Sequence, residues 1–174
     1  MNYSDINRIP TSDYMVQVQW SELQRSIDRY IKLYNLNTNP EYQRGYIWTE
    51  QQQINYVEYM LRGGFSGKDI FFNAPGWMQN FMGTIELVDG KQRISAVLKF
   101  LSDKLLIFGN VKYSDFTTDI NLYQHEPYFN FHVNNLANKA DIIKWYISMN
   151  EGGTAHTKED IQNARNLLTN IIQL

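Results

Sequence analysis

An acid, a glycine, an amide and two bases stand in a row at Asp89-Gly90-Lys91-Gln92-Arg93, where an apolar run gives way to a helical period. Thr84–Val88 alternates loosely, and Ile94, Val97, Leu98 and Leu101 then fall at i, i+3, i+4 and i+7, a buried helix stripe. The charges are thereby concentrated at a strand-to-helix junction. Helix N–H groups there can hold an anion, and glycine lets a ligand approach the backbone. Polyphosphate recognition is the chemistry these side chains suit. Arg93 can make a planar two-point contact to phosphate, and Lys91 supplies a mobile positive charge. Gln92 can donate and accept hydrogen bonds to a sugar, base or water. Asp89 can coordinate Mg²⁺ bridging phosphates, orient a water, or pair with Arg44 or Arg93. The architectural alternative is that Asp89 caps the helix and Arg93 forms an internal ion pair.

Two further stretches carry candidate ligand groups. Tyr42, Gln43 and Arg44 precede a helix and can bring a second positive side chain, Arg44, toward the same ligand, with Tyr42 stacking on a base. Alternatively Tyr42 is a core aromatic and Arg44 satisfies buried carbonyls or an acid; Trp48 reads as an anchor. In Asn150-Glu151-Gly152-Gly153-Thr154, Asn150 can orient a phosphate or Asp89, and Gly152 and Gly153 permit a tight backbone approach. A plain helix-to-helix turn needs similar residues. His125, His132 and His156 have no compact metal-ligand spacing, and Glu86 falls on the opposite strand face from Asp89.

The elements that must position these groups follow from periodicity. Trp20–Tyr34 reads as a helix with Leu23, Ile27, Tyr30, Ile31 and Tyr34 on one face, ended by the turn-rich Asn35–Pro40. A second helix runs from Thr49 or Glu50 to Leu61, carrying Ile54, Val57 and Leu61 inward and stopped by Gly63-Gly64. Asp69–Asn73 is a short strand, and the helix after Asp89 ends near Ser102. Lys104–Phe108 is expected as a strand, Tyr128–Val133 as another, and Ala137–Met149 as a helix. Between them, Tyr123, His125 and Tyr128 can form an aromatic cover or ordinary packing. A last helix starts near Thr157, with Ile161, Ala164, Leu168, Ile171 and Ile172 as its apolar side. Helices around a small sheet, an α+β domain, is the most economical arrangement.

Composition narrows the function. The chain's 174 residues suffice for one substantial core, and 4 Trp, 12 Tyr and 9 Phe argue against disorder. Without cysteine there are no disulfides, cysteine zinc sites or thiol nucleophiles. With 16 basic against 18 acidic residues, a broad nucleic-acid surface is not expected, although a nucleotide site needs only a few donors. No secretory or membrane-length apolar run is evident, so a soluble cytoplasmic protein is the expectation.

Three segments together resemble one family. Asp89-Gly90-Lys91-Gln92-Arg93 resembles the DGQQR motif of the GmrSD-type N-terminal domain family of modification-dependent restriction systems. Asn39–Trp48 resembles its Pro-x-Tyr-Gln-Arg segment with a following apolar residue and tryptophan, and Met149–Thr154 its Asn-x-Gly-Gly-Thr turn. The resemblance spans roughly residues 20–172 and implies a ParB/sulfiredoxin-like small mixed sheet surrounded by helices, one domain over 16–174 after a lead-in at 1–15. It further implies, from several members, nucleotide binding or hydrolysis coupled to DNA restriction, so that a nucleoside triphosphate of unspecified base is the expected cofactor. The ligand set would be Tyr42, Gln43, Arg44, Gly90, Lys91, Gln92, Arg93, Asn150, Gly152 and Gly153, with Asp89 and Arg93 catalytic and Mg²⁺ on Asp89. Lysine stands at position 91 where the commonest motif has glutamine. Many relatives continue into an HNH-like nuclease domain that does not follow here, so complete restriction activity is not expected of this chain alone. A separate nuclease subunit or another restriction-system protein is the expected partner. The expected function is thus a nucleotide-binding regulatory domain, with Mg²⁺-dependent nucleoside triphosphatase activity as its enzymatic form. The alternatives are a noncatalytic DNA- or protein-interaction module and a metal-dependent DNA nuclease.

Overall fold

The structure, a computed structural model, describes residues 14–43, 45–77, 81, 83–116, 126–151 and 158–172. Strand-forming alternation is plainest in Tyr128–Asn134 (β4), where Phe129, Phe131 and Val133 turn inward between Tyr128, Asn130 and His132. β4 pairs antiparallel with Tyr14–Gln19 (β1) and parallel with Asp69–Asn73 (β2), and β2 pairs antiparallel with Glu86–Asp89 (β3). Among the described residues the strands form one sheet in the order β1-β4-β2-β3. This is a mixed α+β fold, with a small sheet surrounded by helices.

Helices Leu23–Tyr34 (α1), Glu50–Leu61 (α2) and Lys91–Leu101 (α3) contribute to the core on one face of the sheet. There Ile70, Phe72, Phe129 and Phe131 are fully buried with Leu23, Val57, Val97 and Phe100. Each such side chain contributes about 1.5–3 kcal/mol of burial free energy. Lys139–Glu151 (α4) and Lys158–Ile172 (α5) build a second cluster around Trp145, Ile143 and Val88, with Phe71 against it from the sheet's opposite face. Among the described residues no helix is long and apolar enough to cross a membrane.

Local chemistry explains most boundaries. α2 starts on a capping box, with the Thr49 hydroxyl accepting from Gln52 N at 3.3 Å and Gln52 Oε1 accepting from Thr49 N at 2.8 Å. α1 ends on Asn35 in the left-handed region. α4 begins two residues later than its apolar pattern suggests, because Asn138 Oδ1 accepts from Asp141 N at 2.9 Å and so caps it.

Several sequence expectations are corrected. The lead-in 1–15 overlaps β1, which begins at Tyr14. Trp20–Glu22 is a 3₁₀ turn before α1. Ile31, at the edge of the α1 stripe, is 50% exposed, and Ile172 of α5 is 62% exposed. Lys104–Phe108 is not a strand. Leu105 and Ile107 are buried while Leu106 and Phe108 are exposed, so the alternation is real. What is missing among the described residues is a partner strand, since there Ile107 pairs only with Val111 across a turn that holds Phe108 and Gly109 at positive φ. Tyr113 and Phe116 pack their rings edge-on against Phe100. Tyr123 and His125 lie outside the described residues.

Candidate functional site

The segment before α2 is stitched along the β3–α3 junction. Gln92 clamps its backbone, with Oε1 accepting from Ile47 N at 3.2 Å and Trp48 N at 3.3 Å while Nε2 donates to Gly45 O at 3.0 Å. From the other side, Gln43 Nε2 donates to the carbonyls of Leu87 and Val88. Tyr42 Oη donates to Glu86 Oε2 at 3.0 Å, and Lys139 Nζ reaches Glu86 Oε1 at 2.7 Å. Burial of the Tyr42 ring and the neighbouring Glu86 charge push its hydroxyl far above the ordinary tyrosine range, which keeps it a donor. Two of the sequence motifs thus meet in space. Their amides serve the loop: Gln43 and Gln92 spend their hydrogen bonds on backbone.

Tyr42 is only 3% exposed, its ring lying 5.3 Å from that of Tyr146. It presents no open face to a base and acts as the loop's anchor. Trp48 packs partly buried against Tyr56, the anchoring role its position suggests.

Helix geometry separates the two bases of the central motif. At 3.6 residues per turn, side chains two apart point about 200° away from each other. Arg93 pairs back onto Asp89. Lys91, only 6% exposed, reaches instead to Asn39 Oδ1 and lies 4.6 Å over the Tyr46 ring. The structure therefore brings Arg93 and Asp89 together but sends Lys91 to the other flank of α3.

On the Arg93 side, sheet register assembles groups that are far apart in sequence. Phe71 lies opposite both Asp89 and His132, and Asp69 lies opposite Asn130, so these side chains share one sheet face. His132 Nε2 is 2.8 Å from Asp69 Oδ1, and Asn130 Nδ2 donates to the same oxygen at 3.0 Å. The His132 ring stacks on Phe71 at 4.9 Å. Asp69 and His132 were not legible as a pair. The available signal was weak, a polar face on the 128–134 strand and an acid opening the 69–73 strand, and only their pairing register joins the two.

Burial works to raise the Asp69 carboxyl, but the bonds from Asn130 and His132 and the charge of Arg93 outweigh it and hold it below its ordinary value. A depressed carboxylate stabilises the native state above its unfolded pKa of about 3.9 and loses that contribution as pH falls through the folded value. The stability difference between wild type and Asp69→Asn should therefore be full above about pH 4 and close below it. Urea unfolding across about pH 3–7 checks this; an unchanging difference would exclude an electrostatic role for Asp69.

The third motif is only partly described. Asn150 is buried in the last turn of α4 and donates to Tyr146 O at 2.6 Å, so it reaches the first loop indirectly through the Tyr146–Tyr42 contact. Arg44, Gly152 and Gly153 lie outside the described residues, as do His125 and His156. Among the described residues no group of three or more His, Cys, Asp or Glu side chains is arranged to hold a metal ion. Asp89 is a single carboxylate and is engaged by Arg93.

The family described as "GmrSD restriction endonuclease, N-terminal domain" matches residues 21–130, which include both stitched motifs and the Arg93–Asp89 pair. The chain belongs to that family. No curated protein and no solved structure matches it. As a GmrSD N-terminal domain family member, the protein is associated with restriction and defence systems. The match takes in Asp69 and Asn130 and stops before His132, α4 and α5.

Proposed function

We propose that this GmrSD-type domain is a nucleotide-binding regulatory unit of a restriction-like defence system, built on a ParB/sulfiredoxin-like core. The observation that carries the reading is the start of α3. Gly90 occupies its N-cap position at φ 105° with no side-chain cap, and the pinned loop runs alongside. Oriented N–H groups and the helix dipole favour an anion at such an end, and Arg93 stands in the first turn with a planar donor fork. Gln43, Gln92 and Tyr42 hold the loop, while Arg93 and the backbone of Gly90 and Lys91 meet phosphate. Arg44, Asn150, Gly152 and Gly153 complete the proposed ligand set.

Hydrolysis in this reading is attack of water on the terminal phosphate, which forms a new P–O bond as the bond to the bridging oxygen breaks and the nucleoside diphosphate leaves with that oxygen. Arg93 stabilises the charge that develops on the phosphate oxygens, and Asp89 holds Arg93 in place. Mg²⁺ carried in with the nucleotide would supply further charge neutralisation, with Asp89 as its protein ligand. His132, braced by Asp69, has the chemistry of a proton acceptor on the same sheet face. A separate nuclease subunit is the partner to which nucleotide occupancy would be relayed.

Calorimetric titration with ATP, GTP and CTP, with and without Mg²⁺, tests the reading. Saturable binding of at least one nucleotide is expected, and phosphate release from the same samples reads turnover. Absence of binding to all three by folded protein would rule it out and favour a module that acts only through macromolecular contacts.

A further inference from the structure

Lys91 opens onto a cavity that the nucleotide reading does not use. The cavity lies between α1, the Thr38–Tyr46 stretch and α3, with a volume of about 300 Å³. Lys91, Ile94, Ser95, Leu98 and Lys99 of α3 and its C-cap Ser102 recur at helical spacing and form one stripe of the lining. Arg93 points about 170° away from the middle of that stripe. Lys104 adds a third ammonium, and no aspartate or glutamate stands among the described lining residues. Thr38, Ser95 and Gln24 add neutral polar groups, and Ile27 and Leu87 contribute apolar wall.

A nearly buried lysine is costly unless something stabilises its charge. Here Asn39 Oδ1 and the face of Tyr46 do so, and burial depresses the Lys91 ammonium pKa. Lys99 is steadied by Gln53 Oε1 at 2.9 Å. Asn39, Tyr46 and Gln53 carry no charge of their own. Tyr46, itself 64% exposed, forms part of the rim.

We propose that this cavity is a second anion site, separate from the Gly90–Arg93 site, which takes a small phosphomonoester with its phosphate toward Lys91, Lys99 and Lys104. The volume is at the small end of ligand pockets, enough for a phosphate and a compact polar body.

The test uses inorganic phosphate and ribose 5-phosphate as probes, titrated into the full chain and followed by amide chemical shifts, with affinities from calorimetry. Both probes should perturb Thr38, Ser95 and Lys99. Lys91→Gln should weaken binding at least about tenfold. Ser95→Asp, which leaves Lys91 in place and adds a negative charge to the wall, should do the same while the far-ultraviolet dichroism stays unchanged. Arg93→Ala should keep the probe-induced shifts of Thr38, Ser95 and Lys99, with any loss of phosphate binding confined to the Gly90–Arg93 site. Loss of the Thr38, Ser95 and Lys99 shifts in Arg93→Ala with their retention in Lys91→Gln would overturn the proposal in favour of one shared site. Absence of shifts around the cavity in folded wild-type protein would overturn it outright. Nucleotide binding retained in Lys91→Gln would show that the Gly90–Arg93 site stands by itself.

Discussion

Arg93→Ala will lose most of its affinity for nucleoside triphosphate while keeping its fold. A charge-assisted hydrogen bond is worth about 1.5–3 kcal/mol, so removing the guanidinium should weaken binding roughly tenfold to a hundredfold. The effect has two parts. The phosphate loses a planar donor pair, and Asp89, whose charge Arg93 now balances, is left as a bare carboxylate beside the incoming anion. Arg93→Lys separates them, since it restores charge without the fork and should recover only part of the affinity. The pair is partly exposed, 21% for the Arg93 side chain and 29% for Asp89, so stability should change little. Calorimetry on the variants, with dichroism as the fold control, decides the matter. Wild-type affinity in well-folded Arg93→Ala would remove Arg93 from the site.

Gly90→Ala should give the largest loss of stability of any single methyl addition near the site. Gly90 sits at φ 105°, outside the range that L side chains readily adopt. A Cβ there would lie 2.4 Å from Ile70 Cδ1, 3.1 Å from Cγ2 and 3.3 Å from the Ile70 backbone Cα. Ile70 is fully buried in the middle of the sheet and has nowhere to move. Backbone strain and overpacking together should cost about 2–5 kcal/mol. That is a large share of the roughly 5–15 kcal/mol that holds a domain folded. Chemical denaturation measures it. Ile70→Val in the same chain should return part of the loss by removing Cδ1, and none of the part due to φ. A cost below about 1 kcal/mol would mean that the junction is more plastic than its geometry implies.

The helices and the strands 69–73, 84–88 and 128–133 were legible because their signals are local. A stripe at 3.6 residues or an alternation at two is written in neighbouring side chains, whichever partner later covers it. So was the family resemblance, because Asp89–Arg93 and Pro40–Trp48 are contiguous stretches. The failed strand at Lys104–Phe108 shows the limit of this reasoning, since alternation reports which face is buried and says nothing of a hydrogen-bonding partner.

What only the tertiary structure decided was which polar groups point at one another. Adjacent bases in a motif look like one cluster in sequence, yet the turn of α3 sends Lys91 and Arg93 to opposite flanks. Asp69 and His132 look unrelated at 63 residues apart, yet the parallel register of β2 and β4 sets them 2.8 Å from each other. Gln43 and Gln92 read as ligand donors by type and are engaged by backbone, Gln43 at the β3 carbonyls of Leu87 and Val88 and Gln92 at Gly45, Ile47 and Trp48 of the loop. Residue type and local period are properties of the chain. Direction is settled only when elements pack, because a side chain's partner is whatever register and helix rotation place within about 3 Å of it.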